Sequence, residues 1–562
     1  MRKPVSPVPT SPARWVIPVL LFLAALVLLG WFSTEIVDPD FWWHLKTGEY
    51  IVEHHRLPTP DPFAYTTAGA APAYPGEEVT RRFNLTHEWL AQAVWYLVWR
   101  VGGFPAVVLW KALLLTVLCG MVGLLARLRT GSWLWGIAAA LAAAALAIEF
   151  AHDRPGILSY VFTAAFLLIC EQRRRLWLLP VLALVWANCH GGFFLGWVVC
   201  AAYCAEALVR RAPEARRMLL ASGLAVLVSG VNPNGFAALA TVLRYRQSPL
   251  QSTLIEWARA DLWGPPWAFD ILLYAAALAL LLNWKRVRPA DWLLFAAFAA
   301  ASLTAFRNEM LIGILAPVLI AAYFPWKRRL PVPFAYAFAG ALVAAVGWGT
   351  ASGAFFQLRA AEWRFPAGAA AFLRQAKVSA PLFNTYEYGG YLIWKGERVF
   401  IDGRALSETV FGDYRQILGA PPADAARYRA LARYGIGAIV MNAFQYYSGE
   451  MYPLVGALTQ PEAADWKLVY DEPQALVFLR EVPAGVPVLD KSRIVDHLEA
   501  ECRLRIERDP EFSLCARTLG DFFIRSGDRA RARRSLALYL DHPYEGRPDP
   551  DAQRAYMQLL QQ

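Results

Sequence analysis

The string Asp38-Pro39-Asp40-Phe41-Trp42-Trp43-His44 sets two carboxylates and an imidazole directly behind the first long apolar run of the chain. A carboxylate within hydrogen-bond reach of a hydroxyl can act as a general base, and hard oxygen ligands suit a divalent cation. Asp38 and Asp40 are therefore candidate catalytic carboxylates. Glu88, in the pair His87-Glu88, is a third, expected to fold back beside them. A divalent cation (Mg or Mn) is one option for these residues, with Asp40 and His87 as its candidate ligands. A helix stop whose Asp residues cap the next helix explains the same string without chemistry. Arg154, in His152-Asp153-Arg154-Pro155, and Arg307, in Phe306-Arg307-Asn308-Glu309, offer planar, permanently charged forks suited to a phosphate. The plainer alternative pairs Arg154 with Asp153 and Arg307 with Glu309 at helix ends, where charge is cheap. His190, beside Gly191-Gly192, is a third candidate for the phosphate site, with a hydrogen-bonded buried imidazole as its alternative.

These residues share one feature of placement: all lie at the ends of apolar segments, on one side. The other ends carry Arg127 and Arg129, Arg173 to Arg175, Arg210 to Arg217, Lys285 to Arg288, and Lys327 to Arg329. The positive-inside rule puts those basic loops in the cytoplasm. Apolar segments at 15–36, 104–126, 132–150, 156–171, 176–189, 192–209, 218–231, 267–284, 291–306, 309–325 and 331–350 give about eleven spans. Several fall short of the roughly 20 residues of a straight span, and Asn188 to Gly192 reads as an early stop. This predicts an inner-membrane protein with a cytoplasmic N-terminus (1–14), a transmembrane part (15–350) and its C-terminal region outside. Within the first outer loop (37–100), 41–53 patterns as an amphipathic helix and 57–62 as an extended Pro-rich stretch. Residues 87–100 pattern as a Trp-rich helix that Gly102-Gly103 ends.

Composition agrees. The chain of 562 residues is 57% hydrophobic and carries a net charge of +10. The Lys and Arg excess sits largely in short loops beside apolar segments, where it sets topology and meets anionic lipid, so nucleic acid is not the expected partner. Twenty-three Trp, several near segment ends, fit an interfacial belt.

Beyond about residue 360 the pattern changes. Short β-like runs at 381–384, 398–402 and 436–441 alternate with helical stretches at 367–375 and 424–434, and a hairpin-like pair follows at 466–470 and 475–480. These predict a small α/β extracytoplasmic domain (360–483). Residues 488–562 are helical and charged; Leu519-Gly520, Phe523, Ala532 and Leu536 fit about one and a half tetratricopeptide-like (TPR-like) repeats, which must pack on the α/β domain or on a protein partner. Cys502 and Cys515 are the pair that an oxidising compartment could join.

The first-loop carboxylates, the two-helix outer loop, the span count and the outer C-terminal domain together resemble the GT-C superfamily of polytopic glycosyltransferases. The strings Asp38 to Glu49, Asn384 to Trp394 and Phe400 to Arg404 look like a bacterial group within it. The resemblance implies a GT-C-like α-helical fold and transfer of a sugar from a polyprenyl-phosphate-linked donor to an acceptor at the outer face. An acidic first-loop residue, here Asp38 or Asp40, would be base or metal ligand. The chain departs from well-known members in having Asp-Pro-Asp rather than adjacent Asp-Glu, and it has no Trp-Trp-Asp motif. Recognition of a protein acceptor sequon is therefore not implied. The alternative is a non-catalytic membrane protein that binds lipid-linked glycans or scaffolds envelope assembly. A transporter fits less well, because no inverted repeat is visible and the charges avoid mid-membrane depth.

Overall fold

A computed structural model describes residues 13–67, 69–244, 255–264, 267–324, 332–422, 424–446 and 448–561. The N-terminal residues 1–12 and the basic cluster Lys327 to Arg329 lie outside the described residues. The chain divides into two compact units, Met1–Leu57 with Arg82–Ala360, and Pro58–Arg81 with Ala361–Gln562. Residues 58–81, which the sequence pattern assigns to the first outer loop, thus count with the second unit.

The first unit is helical. In order come α1 (Ala13–Phe32), α2 (Asp40–His54), α3 (Glu77–Thr86, within which the division falls), α4 (Trp89–Thr130), α5 (Trp133–Ala147), α6 (Gly156–Gln172), α7 (Leu178–Cys189), α8 (Phe194–Val209) and α9 (Ala215–Val228). Helices Trp267–Leu282, Pro289–Thr304, Met310–Tyr323 and Val332–Ala351 complete the apolar set. Among the described residues, six helices are long and apolar enough to cross a membrane, and four shorter apolar helices accompany them. The amphipathic pattern at 41–53 forms α2, whose Phe41, Trp42, Leu45 and Ile51 are buried. Gly48 lets α2 lie against α4, since a Cβ there would strike the Gln92 carbonyl. Gly102 and Gly103 break α4 with non-helical backbone, Gly103 at φ 62°, a conformation glycine adopts freely. The expected early stop is present: α7 ends at Cys189, and His190 is extended before the next turn.

At the far end of α4 from Glu88, charges knit five helices together. Arg129 binds Asp291 at 2.8 Å and the Tyr323 hydroxyl at 3.0 Å, and Arg288 binds Glu171 at 2.8 Å and Asp291 at 3.0 Å. Tyr203 donates to Glu171 at 2.8 Å.

The second unit holds a four-stranded sheet of order β1-β2-β4-β3, with β1 Leu382–Asn384, β2 Ala438–Met441, β3 Lys467–Glu472 and β4 Ala475–Leu479. β1 and β2 are parallel, with Phe383 opposite Ile439; β3 and β4 form an antiparallel hairpin. The run 398–402 is not a sheet strand, contrary to its β-like composition. Its backbone is met elsewhere: Phe400 N–H donates to Asn384 Oδ1 (2.9 Å), Ile401 C=O accepts from Asn384 Nδ2 (2.8 Å), and Val399 pairs with Ala64. Gly389 is required there, because a Cβ would run into the Ile401 carbonyl.

The C-terminal helices Arg493–Arg508, Leu514–Ser526, Arg529–Asp541 and Pro550–Gln561 share one core with the sheet, running from Phe383 and Phe478 through Leu498 and Phe523 to Leu536 and Ala552. A buried carboxylate adds to the seam: Glu501 accepts from Ala443 N–H at 2.8 Å and pairs with Arg505 at 2.7 Å. Cys502 and Cys515 are joined in a disulfide.

Candidate functional site

In the first unit, Asp38 ends the short link behind α1 and Asp40 opens α2. Asp38 Oδ1 accepts the Asp40 N–H (3.0 Å) across Pro39, the N-cap of α2, and Asp40 Oδ1 accepts from the Trp43 indole Nε1 (2.9 Å), so a cap-like role falls to Asp38 alone. It does not exhaust the carboxylates. Their second oxygens turn to one guanidinium: Arg154 Nε lies 2.8 Å from Asp38 Oδ2, and Nη1 lies 2.9 Å from Asp40 Oδ2. The same Nη1 reaches Glu256 Oε1 at 2.7 Å. Arg307 Nη1 stands 3.7 Å from Glu256 Oε2, with its guanidinium over the Trp257 ring at 4.9 Å. The Phe306 N–H bond to Ala258 C=O (2.8 Å) holds the two segments together.

Neither plainer pairing from the sequence is what forms. Asp153 turns away from Arg154 to Lys111 (2.9 Å), and the acid nearest Arg307 is Glu256 rather than Glu309.

Exposure separates the two aspartates. The Asp38 side chain is 2% exposed and that of Asp40 20%, while Arg307 and Glu256 reach 34% and 38%. Burial raises the Asp40 carboxyl to about 7, against the pull of Arg154 and with help from the Asp38 charge. Burial pushes Asp38 up as well, but Arg154, His152 and the Asp40 N–H outweigh it and leave Asp38 below its ordinary value. Glu256, despite its own burial cost, is drawn down to about 2 by Arg154 and Arg307.

Glu88, His87 and His190 gather in a second cluster with His44 of α2. Glu88 Oε2 lies 3.6 Å from His44 Nδ1, and Oε1 lies 3.5 Å from His87 Nε2 and 3.6 Å from His190 Nε2. Gln92 Nε2 donates to His44 Nδ1 (3.1 Å). Ser159 Oγ lies 2.7 Å from His190 Nδ1 and accepts from Trp186 Nε1 at 2.8 Å. Here Glu88 contacts imidazoles and has no contact with the Arg154 guanidinium.

As arranged, these residues do not suit a divalent cation. Asp40 and His87 fall in different clusters, both Asp40 oxygens accept from nitrogen donors, and His87 Nδ1 faces the Phe83 carbonyl at 2.8 Å. Among the described residues no group of three or more His, Cys, Asp or Glu is set to hold a metal ion.

Sequence reasoning passed over two members of the site. Glu256 lies in a segment between apolar helices with no motif of its own, although an acid there beside Trp257 was a signal. Lys111 is a lone cation within an apolar span, which by itself marks a site worth weighing.

No protein-family model and no curated protein sequence matches the chain. Solved structures do. The Archaeoglobus fulgidus oligosaccharyltransferase AglB, in complex with an inhibitory peptide and a dolichol-phosphate, superposes with a TM-score of 0.55 at 11% identity, over 85% of this chain and 76% of that one. The apo form of the Archaeoglobus fulgidus oligosaccharyltransferase gives 0.53 at the same identity and coverage. The chain therefore has the fold of these enzymes, a GT-C-like membrane fold.

Proposed function

We propose that the protein is an inverting glycosyltransferase that takes a sugar from a polyprenyl-phosphate-linked donor and passes it to an acceptor hydroxyl at the outer face of a bacterial cytoplasmic membrane. The observation that carries this reading is the convergence of Asp38, Asp40 and Glu256 on Arg154, with Arg307 beside them. The shared fold supports it, as does the dolichol-phosphate in the archaeal enzyme's complex.

Asp40 is the base in this reading, because it is the more exposed of the two first-loop carboxylates and titrates near neutrality. It takes the acceptor hydroxyl proton as that oxygen bonds to the anomeric carbon. The bond from the anomeric carbon to the phosphate oxygen breaks, and the lipid phosphate leaves with the electron pair. Arg307, held only loosely by Glu256, meets the developing phosphate charge. Arg154, engaged by three carboxylates, mainly sets Asp38 and Asp40 in place. No step runs through a metal ion.

The basic loops at one end of the helices support a cytoplasmic N-terminus with the C-terminal region outside. The Cys502–Cys515 disulfide supports an oxidising surround for that region.

The test compares lipid-linked sugars and surface glycans by mass spectrometry in cells lacking the protein, complemented with wild type or with Asp40→Asn. Build-up of a polyprenyl-phosphate sugar with loss of one glycan, cured by wild type alone, is the expected result. Full cure by well-expressed Asp40→Asn would remove the base and favour the binding or scaffolding alternative.

A further inference from the structure

Lys111 lies in the middle of α4, 1% exposed, and its ammonium has three N–H groups. Three acceptors surround it: Asp153 Oδ1 at 2.9 Å, and the Thr34 carbonyl and Thr34 Oγ1, each at 3.1 Å. One buried charge thus meets three acceptors from two different chain segments. Thr34 belongs to the link that carries Asp38 and Asp40, and Asp153 immediately precedes Arg154. A counter-charge for Asp153 alone would not need to grip Thr34 twice.

We propose that Lys111 is the positioning residue of the candidate site. It pins the Thr34–Asp40 link and the His152–Arg154 loop to α4, so that Arg154 meets both aspartates at bonding distance. Its charge never touches the donor; it acts through Arg154 and Asp38. An arginine at 111 is a poor substitute, because a planar fork cannot direct donors at three acceptors arranged around a tetrahedral ammonium. This inference rests on the transferase reading only where it speaks of the donor. The pinning itself is independent of it.

Lys111→Met leaves Asp153 buried without its partner and risks misfolding, so the informative variant is the double Lys111→Met/Asp153→Asn. Removing both members of a buried pair is often close to neutral for stability, whereas removing one is not. The full-length protein is placed in lipid nanodiscs. Backbone hydrogen exchange is followed at 34–40 and 152–156, and undecaprenyl phosphate is titrated as the probe. With the melting temperature retained, exchange should quicken by about tenfold in both segments. Adding Arg154→Gln to the double variant should quicken exchange no further, because both changes disable the same group. Unchanged exchange in both segments overturns the proposal and reduces Lys111 to the counter-charge of Asp153. Quickened exchange in a protein whose wild type does not bind the probe upholds the pinning and sinks the transferase reading. Probe binding by wild type with unchanged exchange in the double variant does the reverse.

Discussion

Glu256 and Asp40 share a single donor: Arg154 Nη1 lies 2.7 Å from one carboxylate and 2.9 Å from the other. An acid on the 255–258 segment and an acid at the start of α2 are therefore coupled through one nitrogen. Glu256 also faces Arg307 at 3.7 Å, so it draws on the cation that the proposed mechanism assigns to phosphate.

Neutralising Glu256 should thus favour an incoming anion. Glu256→Gln is expected to tighten undecaprenyl phosphate binding by about threefold, the scale of one partly exposed charge pair, while Arg307→Gln weakens it. Titration in nanodiscs reads both; weaker binding by Glu256→Gln would contradict the assignment of Arg307 to phosphate.

The two aspartates should part company on substitution. Asp40→Asn removes the proposed base and should abolish the proposed transfer with little change in melting temperature. Asp38→Asn removes the more buried partner of Arg154 and should destabilise the first unit by about 1–3 kcal/mol. Thermal unfolding alongside glycan analysis separates them, and equal stability loss in both would undo the distinction.

The pH profile follows from the same pair. Asp40, raised to about 7, is protonated below that pH and cannot accept a proton, so kcat/KM should rise with pH through about 7 and then level off. Asp38, held below its ordinary value, is ionised throughout and adds no limb near neutrality. A flat profile from pH 5.5 to 8.5 in the purified protein would exclude Asp40 as the base.

In the second unit, Arg404 is buried between Asp402 and Asp61, with bonds of 2.6 Å and 2.7 Å, and Asp61 in turn accepts the Phe63 and Ala64 N–H groups. Arg404→Met strands two buried carboxylates and should cost about 3–5 kcal/mol. Limited proteolysis should then cut within 58–81. Resistance equal to wild type would show that this network does not hold that segment.

Reduction should loosen the helical tail. Cys502 and Cys515 stand 13 residues apart, and replacing both with Ser should cost about 2–3 kcal/mol. Calorimetry of wild type with and without reductant checks this; identical unfolding curves would argue against it.

What the sequence revealed followed from local pattern. The helix at 367–375, the hairpin of β3 and β4, the stop at Asn188 to Gly192 and the break at Gly102-Gly103 are all written in periodicity or in glycine. The run 398–402 misled because Asn384 supplies, from its side chain, the hydrogen bonds that a neighbouring strand would otherwise provide. Composition cannot register that substitution. Glu256 and Lys111 were hidden for the same kind of reason: their partners, Arg154 and Thr34, are 102 and 77 residues away. The clustering of Glu88 with His44 and His190 likewise depends on how α2, α4 and α7 meet.

The arginines at the far end of α4 have a consequence for how the chain is made. On the proposed topology, Arg129 and Arg288 reach the membrane on a nascent chain before Asp291 and Glu171 have packed against them. At that moment each carries a full, unmatched charge and helps to hold its loop on the side of synthesis. Once the helices assemble, the same charges are cancelled pair by pair. On that topology part of the orienting charge is hidden in the finished protein, while Arg174, Arg175, Lys285 and Arg286 still display the rest. A substitution such as Asp291→Asn should therefore leave insertion unchanged while weakening assembly.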